Sequence, residues 1–143
     1  MQERSSSRWL ESMDDKIPHK VLQTPNDIKD QIPELAEQHE YLIVDSPGGL
    51  SEPTRAILFR ADIAVVKCKP TGLDLQSAFD ALKLVRQAQS VRKGSPKAAM
   101  FLSMAVKGTK LKDEAISVLD KTQDVAPLLK SVIHLPQAIA LCP

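Results

Sequence analysis

Three short apolar runs constrain this chain more than anything else in it. They are Tyr41-Leu42-Ile43-Val44, Ile63-Ala64-Val65-Val66 and residues 98–104, and segments of helical spacing separate them. Runs of that length read as strands, and strands alternating with helical segments give an α/β fold, a mostly parallel sheet with crossover helices on it. The first run predicts a strand over 41–45 that ends in Asp45. The second predicts a strand over 62–68, apolar enough at 63–66 to be buried on both faces. Both are expected near the centre of the sheet. Between the second and third runs, Leu75, Phe79, Leu82, Val85 and Ala88 recur at helical spacing, so one helix is expected over 73–91 with that face on the sheet.

Local punctuation fills in the rest. Thr24-Pro25-Asn26-Asp27 offers a cap and an early proline to a helix reaching about residue 39, with Pro33 as a kink or break. Ser51-Glu52-Pro53 opens a short helix to about residue 60, and Arg92-Lys93-Gly94-Ser95-Pro96-Lys97 is a surface turn. Residues 110–121 form an amphipathic helix with Ala115, Ile116 and Leu119 inward, residues 128–133 a last strand, and residues 19–23 a weak short one. With 143 residues, 43% of them hydrophobic, a single core and a single domain are expected. The net charge of +1 names no partner, and 3% aromatics leave little for base stacking. Cys68 and Cys142 with no apolar leader point to a reducing cytoplasm, and no apolar stretch approaches a membrane span.

The run at 41–44 is followed by Asp45-Ser46-Pro47-Gly48-Gly49. Open parallel sheets bind ligands beyond the carboxyl ends of their strands, so an acid there can hold the water shell of a magnesium ion. Gly48 and Gly49 would let the loop approach a terminal phosphate closely. Yet the chain contains no Gly-x-x-x-x-Gly-Lys-Ser/Thr loop to cradle a triphosphate. The residues give the magnesium half of a nucleotide site.

Residues 41–50 resemble the Walker B and switch II region of the ParA/MinD group of P-loop ATPases. The likeness continues through Ala61-Asp62 and the apolar strand after it, then Lys69-Pro70-Thr71-Gly72-Leu73-Asp74-Leu75, and then Phe101-Leu102-Ser103-Met104-Ala105-Val106-Lys107-Gly108-Thr109. Gln2-Glu3-Arg4-Ser5-Ser6-Ser7-Arg8-Trp9 is similar to the stretch after that group's aspartate-x-aspartate-x-glutamine element. The resemblance implies a three-layer α/β sandwich of the P-loop type. It makes residues 1–143 one partial domain, with the N-terminal phosphate-loop unit and the C-terminal helices missing. Asp45 would be the catalytic and metal-side acid. Ser46, Pro47, Gly48, Gly49, Pro70, Asp74, Ser103 and Thr109 would border the nucleotide. It further implies ATP and Mg2+ as cofactors, an ATP-dependent homodimer, nonspecific DNA binding and a ParB-like centromere-binding partner in plasmid or chromosome partition. The alternatives are a non-catalytic interaction module and a gene remnant that cannot hydrolyse ATP.

Between Asp80 and Asp113 the chain carries Lys83, Arg86, Arg92, Lys93, Lys97, Lys107, Lys110 and Lys112 with no acid. If these side chains converge, with Lys107, Lys110 and Lys112 at the core of the patch, they could neutralise DNA phosphates. Spread over two helices and two loops, they would be an ordinary solvated surface. Other chemistries fit less well. Lys69-Pro70 invites comparison with a response-regulator receiver, but only one helix and one strand fit between Asp45 and Lys69, where a receiver needs two such units. His19, His39 and His134 have no ligand partners at metal spacing, and Ser46 lacks a nucleophile elbow.

Overall fold

The computed structural model describes residues 5–14, 17–46 and 49–134. Helix α1 (Ser5–Glu11) is followed by α2 (Pro25–Gln38), α3 (Glu52–Leu58), strand β1 (Ile63–Cys68), α4 (Gly72–Val91), β2 (Lys97–Ala105), α5 (Lys110–Leu119) and β3 (Leu128–His134). The fold is α/β, with a three-stranded, all-parallel sheet flanked by helices, ordered β1-β2-β3.

The helices start where side chains satisfy their first amides. Asp27 N–H donates to Thr24 Oγ1 at 3.1 Å and Thr24 N–H to Asp27 Oδ2 at 3.3 Å, a reciprocal capping box with Pro25 in the first turn. Ser51, Thr71 and Thr109 cap α3, α4 and α5, each side chain accepting from an N–H of the first turn. Pro33 lies inside α2, which runs on through it to Gln38. After α4 the chain reverses through Lys93 and Gly94, both left-handed (φ 55 and 98), the second where glycine carries no steric penalty.

The core lies between the sheet and the helices α4 and α5. Val66 and Cys68 of β1, Met100 and Leu102 of β2, and Leu128 and Val132 of β3 face Ala78, Leu82, Ala115 and Leu119. The register places these strand residues side by side: Cys68 beside Leu102, and Leu102 beside Val132. A second cluster joins Leu58 of α3 to Ala64 and to Leu84, Val85 and Ala88 of α4. So α3 packs on the same side of the sheet as α4 and α5, as right-handed crossovers require when successive strands are added in one direction.

Three expectations need correction. Residues 41–46 are irregular and exposed, not a strand, and residues 17–23 are likewise irregular and, apart from the partly covered Leu22, exposed. An apolar run becomes a strand only when another strand accepts its backbone hydrogen bonds, and among the described residues none pairs with these segments. Nor is β1 central or buried on both faces. Among the described residues it pairs with β2 alone, and Ile63 and Val65, pointing away from α4, are 67% and 59% exposed. Ile133 of β3 shares that open face and is 53% exposed. No helix among the described residues is long and apolar enough to cross a membrane.

Candidate functional site

The carboxyl ends of β1 and β2 lead into two turns, each ending at a helix N-terminus. After β1, Pro70 is buried and Thr71 caps α4. Thr71 Oγ1 accepts from Asp74 N–H at 3.3 Å and donates to the Asp74 carboxylate. Near the end of β2, Met104 takes a left-handed conformation (φ 56) where the pairing with β3 shifts register. This turns the chain toward Thr109, whose hydroxyl donates to Val106 O at 3.0 Å and accepts from Lys112 N–H at 3.4 Å. His134 Nδ1 donates to Ala105 O at 3.0 Å and ties the end of β3 to the end of β2. Ser103 is buried at 7% exposure on β2.

The topology therefore brings Pro70, Asp74, Ser103 and Thr109 to one edge of the sheet. Asp74 and Thr109 already have local work there, since each completes a helix cap. Asp45 is not among them. It stands outside the sheet, exposed, and its carboxylate accepts a hydrogen bond from Ser6 Oγ of α1. Ser6, Trp9, Leu10 and Asp45 line an open hollow of about 400 Å³. Ser46 follows in the same exposed segment and Gly49 is left-handed (φ 96). Pro47 and Gly48 lie outside the described residues, as do Gln2 and the chain after His134. Among the described residues no group of three His, Cys, Asp or Glu side chains could hold a metal ion.

The basic run does not gather into one patch. Lys97 opens β2 and Lys107 follows its end, so by strand rise they stand roughly 25–30 Å apart, at opposite ends of the sheet. Lys83 pairs with Asp80 at 2.8 Å and holds that carboxyl below its ordinary range by hydrogen bonding. Arg86 pairs with Asp124. Arg92 Nη1 donates to Leu58 O at 2.9 Å and Ala61 O at 2.5 Å. Lys107 and Lys110 are exposed beside each other at the β2–α5 turn, while Lys112 is partly covered and lies 3.7 Å from Asp113.

Two sets of contacts have no counterpart in the local sequence pattern. Gln89 Nε2 donates to Pro96 O at 2.9 Å and Val125 O at 3.3 Å, and Arg92 reaches back across more than thirty positions. The Ser6–Asp45 bond likewise spans 39 positions, beyond any spacing rule.

At the end of β1, Cys68 is 1% exposed and its thiol donates to Lys69 O at 3.2 Å. Burial, and then the negative charge of Asp74, push the thiol pKa up from 9.0 to about 11. Below pH 9 the thiol is protonated both folded and unfolded, so it adds no pH dependence. Above that the unfolded chain loses the proton first, and stability falls until the folded thiol ionises near 11. Unfolding free energies from urea denaturation are expected to drop by about 2 kcal/mol more between pH 8 and 11 in the native chain than in Cys68→Ala. Equal pH slopes would remove Cys68 from this account.

No protein-family model matches this chain, and no curated protein matches it. The fold itself rests on the parallel pairing of β1, β2 and β3 and the helices between them.

Proposed function

We propose that this chain is part of a ParA-like ATPase acting in plasmid or chromosome partition. In its complete form such a protein hydrolyses ATP with magnesium, dimerises on ATP, binds DNA nonspecifically and works with a ParB-like partner. One observation supports the reading: the turns after the adjacent parallel strands β1 and β2, which carry Pro70, Asp74 and Thr109, both lie at the carboxyl ends of the strands. That edge is where open parallel sheets take their ligands.

In this reading Asp45 would be the residue on the magnesium side, and the ion would neutralise charge at the phosphates. Asp45 has the right chemistry, a hard oxygen donor, but a lone carboxylate off the sheet does not make a metal site among the described residues. Ser46, Pro47, Gly48 and Gly49 form the switch loop that follows it. Pro70 and Asp74 with Ser103 and Thr109 border the nucleotide. Turnover further needs a phosphate cradle, which the sequence does not contain.

A second reading is favoured by the open face of the sheet. Ile63, Val65 and Ile133 are more than half exposed on one side, the pattern of a surface that a partner covers. In that case the chain is a non-catalytic interaction module. Reading the coding DNA upstream of Met1 in frame separates the two. An open frame encoding a Lys-Gly-Gly-x-Gly-Lys-Thr/Ser loop, followed by a strand ending in Asp-x-Asp, supports the ATPase. A stop codon with no such loop sinks ATP hydrolysis by this product and leaves the module.

A further inference from the structure

We propose that the groove between α3 and α4 binds a medium-chain carboxylic acid, its apolar chain lying between the helices and its carboxylate on Arg55. The groove has a volume of about 220 Å³. Its floor is Leu58 of α3 with Leu84 and Ala88 of α4, all buried and all members of the second core cluster. Phe59, just past α3, and Val91, at the end of α4, form walls that stay 46% and 69% exposed. The polar lining residues, Arg55 and Gln87, stand one on each helix, and Arg55 Nη1 donates to Gln87 Oε1 at 3.5 Å. The spacing of the two helices is held by Arg92, which donates to the carbonyls of Leu58 and Ala61.

Size and charge select the occupant. An apolar cavity of about 150 Å³ takes the six carbons of benzene, so this groove has room for roughly eight or nine. It is smaller than the sites of about 300–1,000 Å³ that drug-sized molecules fill, which points to a single short chain. Such a chain would remove the exposed faces of Phe59 and Val91 from water. The polar end of the groove is rich in donors. A guanidinium carries five N–H groups in a planar fork and an amide nitrogen two more. Among the described residues no acid pairs with Arg55, whose partner is the neutral Gln87. A carboxylate fits that fork with two parallel charge-assisted bonds; an alcohol of the same length leaves the positive charge uncompensated, and an amine is repelled. The groove is also remote from the carboxyl ends of the strands. Asp74 lies in the first turn of α4, whereas Leu84 to Val91 follow about 15–25 Å further along its axis. The site is therefore independent of the ATPase reading.

Titrating the full chain with sodium octanoate, and following its amide resonances, tests the proposal with no nucleotide present. Saturable shifts are expected over residues 55–59 and 84–91, with a Kd of about 0.1–1 mM. On the native chain 1-octanol is expected to bind several-fold more weakly. Arg55→Gln changes an exposed side chain outside both core clusters, so the fold should be kept. It is expected to weaken octanoate about tenfold and leave octanol unchanged. Val91→Asp, which sets a carboxylate on an exposed wall, should abolish octanoate binding. Equal affinities for octanoate and octanol would overturn the proposal even without a folded variant. So would no saturable shift by about 10 mM octanoate, shifts centred on Ile63, Val65 and Ile133 of the open sheet face, or octanoate binding indifferent to Arg55→Gln.

Discussion

Replacing Leu102 by alanine is expected to lower stability by about 3–5 kcal/mol, enough to leave much of the chain unfolded under ordinary conditions. Leu102 is completely buried in the middle strand, beside Cys68 on one side and Val132 on the other, and belongs to the core beneath α4 and α5. Its truncation opens a cavity that no neighbour can fill without moving two strands and two helices together. Urea denaturation followed by circular dichroism should show the midpoint falling by about 2 M. The matched control is Ile133→Ala on the open face, 53% exposed, which should stay within about 0.5 kcal/mol of the native chain. Comparable losses from both would mean that the open face is packed in solution.

The second large effect is expected at Arg92. Its guanidinium, just beyond α4, donates to the carbonyls of Leu58 and Ala61, where α3 ends and the chain turns toward β1. Those carbonyls have no helical partner, and a cation at a helix C-terminus is also favoured by the dipole. At seven residues α3 is too short to persist without tertiary support. Arg92→Ala should therefore lower stability by about 2 kcal/mol. Amides 55–61 should exchange with solvent much faster while those of β2 stay nearly as protected as before. Uniform loss of protection across the chain would indicate that Arg92 supports the whole fold and not α3 in particular.

Much of this architecture is legible locally. Thr24 with Asp27, Thr71 with Asp74, and Thr109 announce helix starts because a cap involves residues only three positions apart. The long helix α4 is legible because Leu82, Val85 and Ala88 repeat on one face. Residues 41–45 show where that legibility stops. Their composition states a preference for pairing, but whether a partner strand lies alongside is a property of the rest of the sheet. The same limit applies to Ile63 and Val65, which are apolar as in a buried strand and exposed because they point away from the helices that pack on the sheet. The basic residues between Asp80 and Asp113 are adjacent in sequence, but β2 carries Lys97 and Lys107 to opposite ends. Of the candidate site, Asp74 and Thr109 stand in the turns after β1 and β2, where the capping bonds they make account for them locally. The clamps made by Gln89 and Arg92 and the Ser6–Asp45 contact join distant positions, so no spacing rule reveals them.

The reading proposed for this chain gives it the magnesium side of a nucleotide site without the phosphate cradle. Calorimetric titration with Mg-ATP tests that directly, on the chain itself and on the chain joined at its N-terminus to a Walker A loop with its strand and helix. The account expects no binding tighter than millimolar by the chain alone. It expects micromolar binding by the joined protein, lost on Asp45→Ala. Micromolar binding by the chain alone, or a joined and folded protein indifferent to Asp45→Ala, would contradict it.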